Sequence, residues 1–215
     1  MDSAIIKKLD TFFSKYPQQE FPKHHTLIEA GQVPSSIFYI EAGIVRQYWI
    51  FENGTEATLN LYKPHSFLPM SWAIGNVVNQ HIYEAMTGIT IRKVPKDDLL
   101  VFLKNEPDIV YDLLKRMYVG MEGLWQHMES LANGSSLTKL TASLIILAKR
   151  FGKKENGTTI ISLKLSEQEL ANYAGMSRET VSRELQKLKK EKIVSFNKGY
   201  IAIQNEEKLQ AHLLT

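Results

Sequence analysis

Between Ser166 and Leu188 two helix-start signals stand eleven residues apart, a spacing that permits only a short helix, a tight turn and a second helix. Ser166 followed three residues later by Glu169 is a capping box, so a helix starts near Glu167 with Leu170, Ala171 and Ala174 on its buried face. Gly175 stops that helix, and Gly175-Met176-Ser177 makes a three-residue turn. Ser177 is a second N-cap, after which Val181, Leu185 and Leu188 recur at the spacing of one helix face. The opposite face carries Arg178, Glu179, Ser182, Arg183 and Gln186. An arginine offers a bidentate fork to guanine O6 and N7, and a glutamate accepts from the cytosine amino group, so this face has the groups needed to read base edges in a major groove. The competing reading is a solvated face in which Glu179 and Arg183 form an i,i+4 pair.

Ile193 to Phe196 and Tyr200 to Ile203 read as two short strands around an Asn197-Lys198-Gly199 turn, a β-hairpin wing following the helices. Lys198 at its tip is placed for a phosphate contact. The run Ser177-Arg178-Glu179-Thr180-Val181-x-Arg183 resembles the winged helix of the cyclic-AMP receptor protein and FNR (Crp/Fnr) family of bacterial transcription regulators. The resemblance implies that Arg178, Glu179 and Arg183 contact base edges and that Ser166, Gln168, Ser177 and Thr180 lie near phosphates. It also implies half-sites similar to the TGTGA type in an inverted repeat.

Charge is unevenly distributed in a way that suits this reading. Residues 135–215 hold 14 Lys and Arg against 8 Asp and Glu, whereas residues 1–134 hold 12 against 15. A basic half joined to an acidic half is expected when only one half meets phosphates. Cysteine is absent from the chain, which excludes disulfides, thiolate zinc sites and a Cys-ligated iron–sulfur cluster. The apolar runs are too short to span a membrane, and the opening MDSAIIKKLDTFF is amphipathic, not a signal peptide, so a cytoplasmic location is expected.

Residues 24–95 show short apolar segments separated by turn signals such as Ala42-Gly43, Asn53-Gly54 and Lys63-Pro64, the pattern of a β-sandwich or small barrel. The stretch resembles the jelly-roll sensor barrel of the same family, in which a glycine stands at the place of Gly43. From Pro107 the period changes. Val110, Leu114, Met117, Met121, Leu124, Met128 and Leu131 form an a/d stripe over three heptads, which predicts a two-helix seam between copies of the chain. Tyr111, Tyr118 and Trp125 form a second stripe that could pack on the barrel of the same subunit, and Asn133-Gly134-Ser135-Ser136 marks a hinge. Rotation about that hinge would set the two recognition helices on successive major-groove faces.

In the family's nucleotide-binding members a Gly-Glu pair follows a phenylalanine, and further on an Arg followed by Ser or Thr grips the cyclic phosphate. The corresponding places here read Ser66-Phe67-Leu68-Pro69-Met70-Ser71 and Asn79-Gln80-His81-Ile82-Tyr83-Glu84, and no Lys or Arg lies between Pro64 and Ile91. A buried phosphate would find no cation in this stretch. Phe67, Met70, Trp72, Tyr83 and Met86 suit either a pocket for an apolar effector or a filled core. His65 and His81 are the candidate haem or metal ligands, but no His-x-His pair is present and His24-His25 would point to opposite faces of a strand. No metal, cofactor or catalytic residue is expected.

The expected fold is α+β: a jelly-roll, cyclic-nucleotide-binding-like barrel over 1–106, a dimerisation helix and hinge over 107–134, and a winged helix over 135–215. The expected function is sequence-specific regulation of transcription by a homodimer on a palindromic site in double-stranded DNA, without response to cyclic AMP and with RNA polymerase as a candidate partner. The alternative is a metal-dependent, cupin-like barrel enzyme with an accessory helical domain.

Overall fold

The computed structural model describes residues 2–213, which form two compact units that divide within one long helix, between Met117 and Tyr118. In the first unit α1 (Ser3–Phe13) is followed by β1 (Gln18–Phe21), β2 (Thr26–Ile28), β3 (Ile37–Ala42), β4 (Val45–Ile50), β5 (Glu56–Tyr62) and β6 (Phe67–Leu68). Then come α2 (Met70–Gly75), β7 (Ile82–Ala85), β8 (Ile89–Val94), α3 (Lys96–Asn105) and the long α4 (Pro107–Asn133). The eight strands make two four-stranded antiparallel sheets, ordered β1-β8-β3-β6 and β2-β7-β4-β5, which is the jelly-roll architecture.

Strand alternation sorts the side chains between the two sides of these sheets. Val45, Tyr83, Ala85, Ile40 and Ile91 point into the space between the sheets, where they pack with Ile28, Phe38 and Leu68. A second core lies where α1 and α3 cover the sandwich, because α1 offers Leu9, Phe12 and Phe13 on one face. Phe13 stacks on Tyr39 at 3.9 Å, and Phe12 stacks on Phe102 of α3 at 3.9 Å. Ile109 and Leu113, from the start of α4, close the same cluster. Tyr111 does not take that role: it is 71% exposed, since residues 109 and 113 lie four apart on the inward face and 111 lies opposite.

On the outer side of the β4–β7 pair, Arg46 stands opposite Glu84, and its guanidinium meets Glu84 at 3.1 Å and Glu56 at 2.7 Å while lying 3.9 Å over the Tyr48 ring. Where β3 turns into β4, Gly43 has φ +85°, and a Cβ there would collide with the Gly88 carbonyl oxygen and come within 2.8 Å of Ile89 Cγ2 and 2.9 Å of Ile89 Cα. Two of these three obstacles are backbone.

The second unit contains α5 (Ser136–Phe151), β9 (Gly152–Glu155), β10 (Thr158–Ile161), α6 (Glu167–Ala174), α7 (Arg178–Lys190), β11 (Val194–Asn197), β12 (Tyr200–Ile203) and α8 (Glu206–Ala211). Its sheet runs β11-β12-β10-β9, so the wing of the sequence analysis is half of a four-stranded antiparallel sheet. Both of its hairpins close over two residues with positive φ, Asn156-Gly157 at 49° and 79° and Lys198-Gly199 at 50° and 86°. This is the type I′ geometry that matches strand twist, and it moves Asn197 from the predicted turn into β11.

Gly43→Ala is expected to lower stability by about 2–4 kcal/mol, from left-handed strain and a clash with unyielding backbone, whereas Gly54→Ala, with φ +79° but open space, costs about 1–2 kcal/mol. Denaturant unfolding of the two variants checks the ranking.

Candidate nucleic-acid interface

The interface is built by local caps. Ser166 Oγ accepts from the Glu169 N–H at 3.1 Å while the Ser166 N–H donates to Glu169 Oε2 at 2.7 Å, so both halves of the capping box fix the start of α6. Gly175 ends α6 in the left-handed conformation, φ +62°. Two residues later Ser177 Oγ accepts from the Thr180 N–H at 3.2 Å and starts α7. Val181, Leu185 and Leu188 bury one face of α7, which leaves Arg178, Glu179, Arg183 and Gln186 exposed on the other. Together with Ser182 and Glu167 these four line one open depression of about 360 Å³.

Within that depression Arg178 Nε lies 3.8 Å from Glu167 Oε2, and the Ser182 hydroxyl donates to Glu167 Oε1 at 3.3 Å. The carboxyl of Glu179 is held below its usual range, first by a backbone N–H and then by the Ser177 hydroxyl at the helix start. Gln168 donates to Asn172 at 2.7 Å along the exposed side of α6. Lys198 is exposed at the wing tip, and the next residue, Gly199, accepts through its carbonyl from the Leu165 N–H at 2.8 Å. That bond sets the wing tip beside the start of α6, so Ser166, Gln168, Ser177, Thr180 and Lys198 all belong to one unit and border the same two helices.

The end of α4 also belongs to this unit. The His127 ring meets the Tyr173 ring of α6 edge-on at 5.2 Å, and a Cβ on Gly175 would lie 3.0 Å from Leu131 Cδ2. Leu131, at the end of the a/d stripe, therefore lies over the helix-turn-helix. Most of the stripe is more open: Val110, Leu114, Met117, Leu124 and Met128 are each between 43 and 57% exposed, while Met121 is half-buried.

The residues selected as an effector pocket divide between two cores. Phe67, Met70 and Trp72 pack in the cluster beneath α1 and α3, whereas Tyr83 lies between the sheets. His65 Nδ1 is 2.8 Å from the Tyr39 hydroxyl, and His81 Nδ1 is 3.0 Å from Gln47 Nε2, so each ring has a protein partner. Among the described residues no group of three His, Asp or Glu is placed to hold a metal ion, and no helix is long and apolar enough to cross a membrane.

Two capped helices joined by a left-handed glycine, followed by a β wing and presenting arginines on the second helix, define a winged-helix DNA-binding protein. Residues 138–212 match the Crp-like helix-turn-helix domain and residues 18–106 match the cyclic nucleotide-binding domain. The chain belongs to the Crp/Fnr family, DNA-binding transcription regulators and not enzymes. It is 24% identical over 205 residues to a global nitrogen regulator of Synechocystis sp., covering 94% of this chain and 91% of the relative. It is also 24% identical over 204 residues to the fumarate and nitrate reduction regulatory protein of Yersinia pestis, covering 95% and 80%. Among solved structures, a CooA variant from Carboxydothermus hydrogenoformans superimposes with a TM-score of 0.79 at 20% identity, over 94% of this chain and 89% of that one. The c-di-GMP responsive global regulator CLP of Xanthomonas campestris gives 0.76 at 18% identity, over 95% and 100%.

Burial lowers the pKa of His127 below that of the same residue in an unfolded chain, about 6.5. The folded state then binds fewer protons, so this contribution is complete above about pH 6.5 and is lost as pH falls toward the folded-state value. His127→Phe keeps a ring against Tyr173 and removes the titration. Its melting temperature is expected to fall less than the parent's between pH 7 and 5, as read by differential scanning calorimetry.

Proposed function

We propose that the chain binds a palindromic operator as a homodimer, reads each half-site with Arg178, Glu179 and Arg183, and does so without cyclic AMP. The observation that carries the reading is the exposed face of α7, where these three side chains share one depression at the start of a doubly capped helix pair. Arg178 and Arg183 are 64 and 59% exposed along their side chains, free to enter a groove. Ser166, Gln168, Ser177, Thr180 and Lys198 flank that face and supply phosphate contacts, which fix register without reading sequence.

A palindrome requires a two-fold protein. The apolar stripe of α4 supports a seam between two copies, because Val110, Leu114, Met117, Leu124 and Met128 would bury against their own counterparts surface that otherwise stays in water. The barrel supports independence from cyclic AMP. No Lys or Arg lies between Pro64 and Ile91. Arg46, the cation of β4, is committed to Glu84 and Glu56 on the side away from Val45 and Tyr83, which face the interior. Entry of a phosphate would leave its charge buried without a partner.

One titration tests the reading and the absence of cyclic-nucleotide control together. With an operator selected from a random duplex pool, Arg183→Ala is expected to weaken binding by about 1–3 kcal/mol per half-site and to leave random-duplex binding unchanged. Millimolar cyclic AMP should move neither curve. Equal losses on both duplexes would make Arg183 a phosphate contact.

Leu124→Glu places an unpaired charge in the seam, and sedimentation should then find a monomer with parental circular dichroism. An intact dimer would exclude this stripe as the interface.

A further inference from the structure

Glu184 interrupts the apolar pattern of α7. It lies between Val181 and Leu188 on the packed face and is 2% exposed, yet it is ionisable, and a carboxylate taken out of water without compensation is strongly disfavoured. Two cations compensate it. The Arg183 Nε–H donates to Glu184 Oε1 at 3.1 Å, and Lys187 Nζ lies 2.7 Å from Oε2. Burial pushes this carboxyl upward, but Lys187 and Arg183 outweigh burial and hold it below its usual range.

The geometry divides Arg183 into two parts with separate tasks. A guanidinium carries five N–H donors, one on Nε and two on each terminal nitrogen. Glu184 occupies the Nε–H, while the side chain as a whole remains 59% exposed. The terminal nitrogens form the fork that a guanine edge accepts. An arginine with no anchor loses rotamer freedom on entering the groove, whereas one already held at Nε loses less. Arg178 has no comparable anchor: its contact with Glu167 is 3.8 Å long and lies at the surface, where such pairs contribute little.

We propose that Glu184 is a positioning residue for base reading: from inside the helix packing it holds Arg183 by Nε, so that the terminal fork is presented to the DNA before contact. The inference rests on Arg183 reading a base, as proposed above. It concerns a side chain that does not itself touch DNA.

The test is a double-mutant cycle on the full-length protein, with affinities for the selected operator and for a random duplex. Glu184→Leu fits among Val181, Leu185 and Leu188, and the cations it leaves behind, Arg183 and Lys187, are 59 and 53% exposed and return to water, so no charge is stranded in the packing and melting temperature serves as the folding control. On the operator it is expected to bind about tenfold more weakly, with no weakening on the random duplex. Glu184→Gln keeps an acceptor at Oε1 and is expected to recover most of that loss. In an Arg183→Ala background the Glu184→Leu effect should vanish, because the group it positions is gone.

Operator binding by Glu184→Leu at parental strength or tighter would overturn the proposal; a gain would mean that Glu184 restrains Arg183. Losses that are equal on both duplexes, or that add to those of Arg183→Ala, would overturn it as well. If Arg183→Ala alone shows no operator-selective loss, base reading by Arg183 fails and the positioning role fails with it, an outcome visible in that single-variant arm.

Discussion

Helix α6 ends and α7 begins within three residues because Gly175 adopts φ +62°, a conformation that costs a side chain about 1–2 kcal/mol but glycine very little. Everything on the recognition surface depends on this turn. It sets the direction in which α7 leaves α6, and hence that Ser182 reaches Glu167 and that Arg178, Glu179, Ser182 and Arg183 open onto one depression. The turn has no room to spare, since Leu131 at the end of α4 approaches within 3.0 Å of where a Cβ would stand. Ser166 and Ser177, on either side, satisfy N–H groups at both helix starts. A left-handed turn held between two capped helix starts fixes the direction in which α7 leaves α6.

The parts of this fold that were legible in the sequence are those decided by neighbours along the chain. The capping box, the Gly175 stop, the Ser177 cap and the wing turn need only a few consecutive residues to operate, and all four are in the structure. What escaped depends on residues far apart. The hairpin of β9 and β10 carries an Asn156-Gly157 turn that could have signalled it, but its strands are short and β9 is fully exposed, so no alternation marks them. Helix α8 is six residues long and shows no period. Glu184 reads as another polar residue of α7, and only the packing around Val181, Leu185 and Leu188 reveals it as buried. The apolar residues between Phe67 and Met86 look like one set in sequence, yet Phe67 packs toward α1 and α3 while Tyr83 faces the interior between the sheets. Tyr111 lies outside the core for a related reason: heptad spacing marks stripes but not which helix face the barrel covers, and that face is the one of Ile109 and Leu113, which neither stripe includes.

Charges play different parts in the two units. In the second, Glu167 and Glu179 line the same depression as Arg178 and Arg183, and Glu184 pairs with Arg183 from the packed side of α7, so the exposed face of α7 is a patterned surface and not a uniformly positive one. Phosphate attraction is sequence-independent, and carboxylates beside arginines favour contacts whose geometry is right over contacts that merely neutralise charge. In the first unit the stretch from Pro64 to Ile91 lacks cations, and the apolar interior between the sheets is packed by Phe38, Val45, Leu68 and Ile91.

The pairing of Arg46 with Glu84 on the outer side of the sandwich has a further consequence, for how β4 and β7 find their alignment. Side chains alternate along a strand, so a slip of one residue would carry Arg46 into the apolar interior and set Val45 among the polar groups of Glu84 and Glu56. Here the wrong alignment would strip a guanidinium of both its carboxylates, Glu84 and Glu56, in surroundings with no replacement for either. The cluster therefore weighs against the neighbouring register as well as holding the native one, because only the native alignment keeps Arg46 beside both carboxylates.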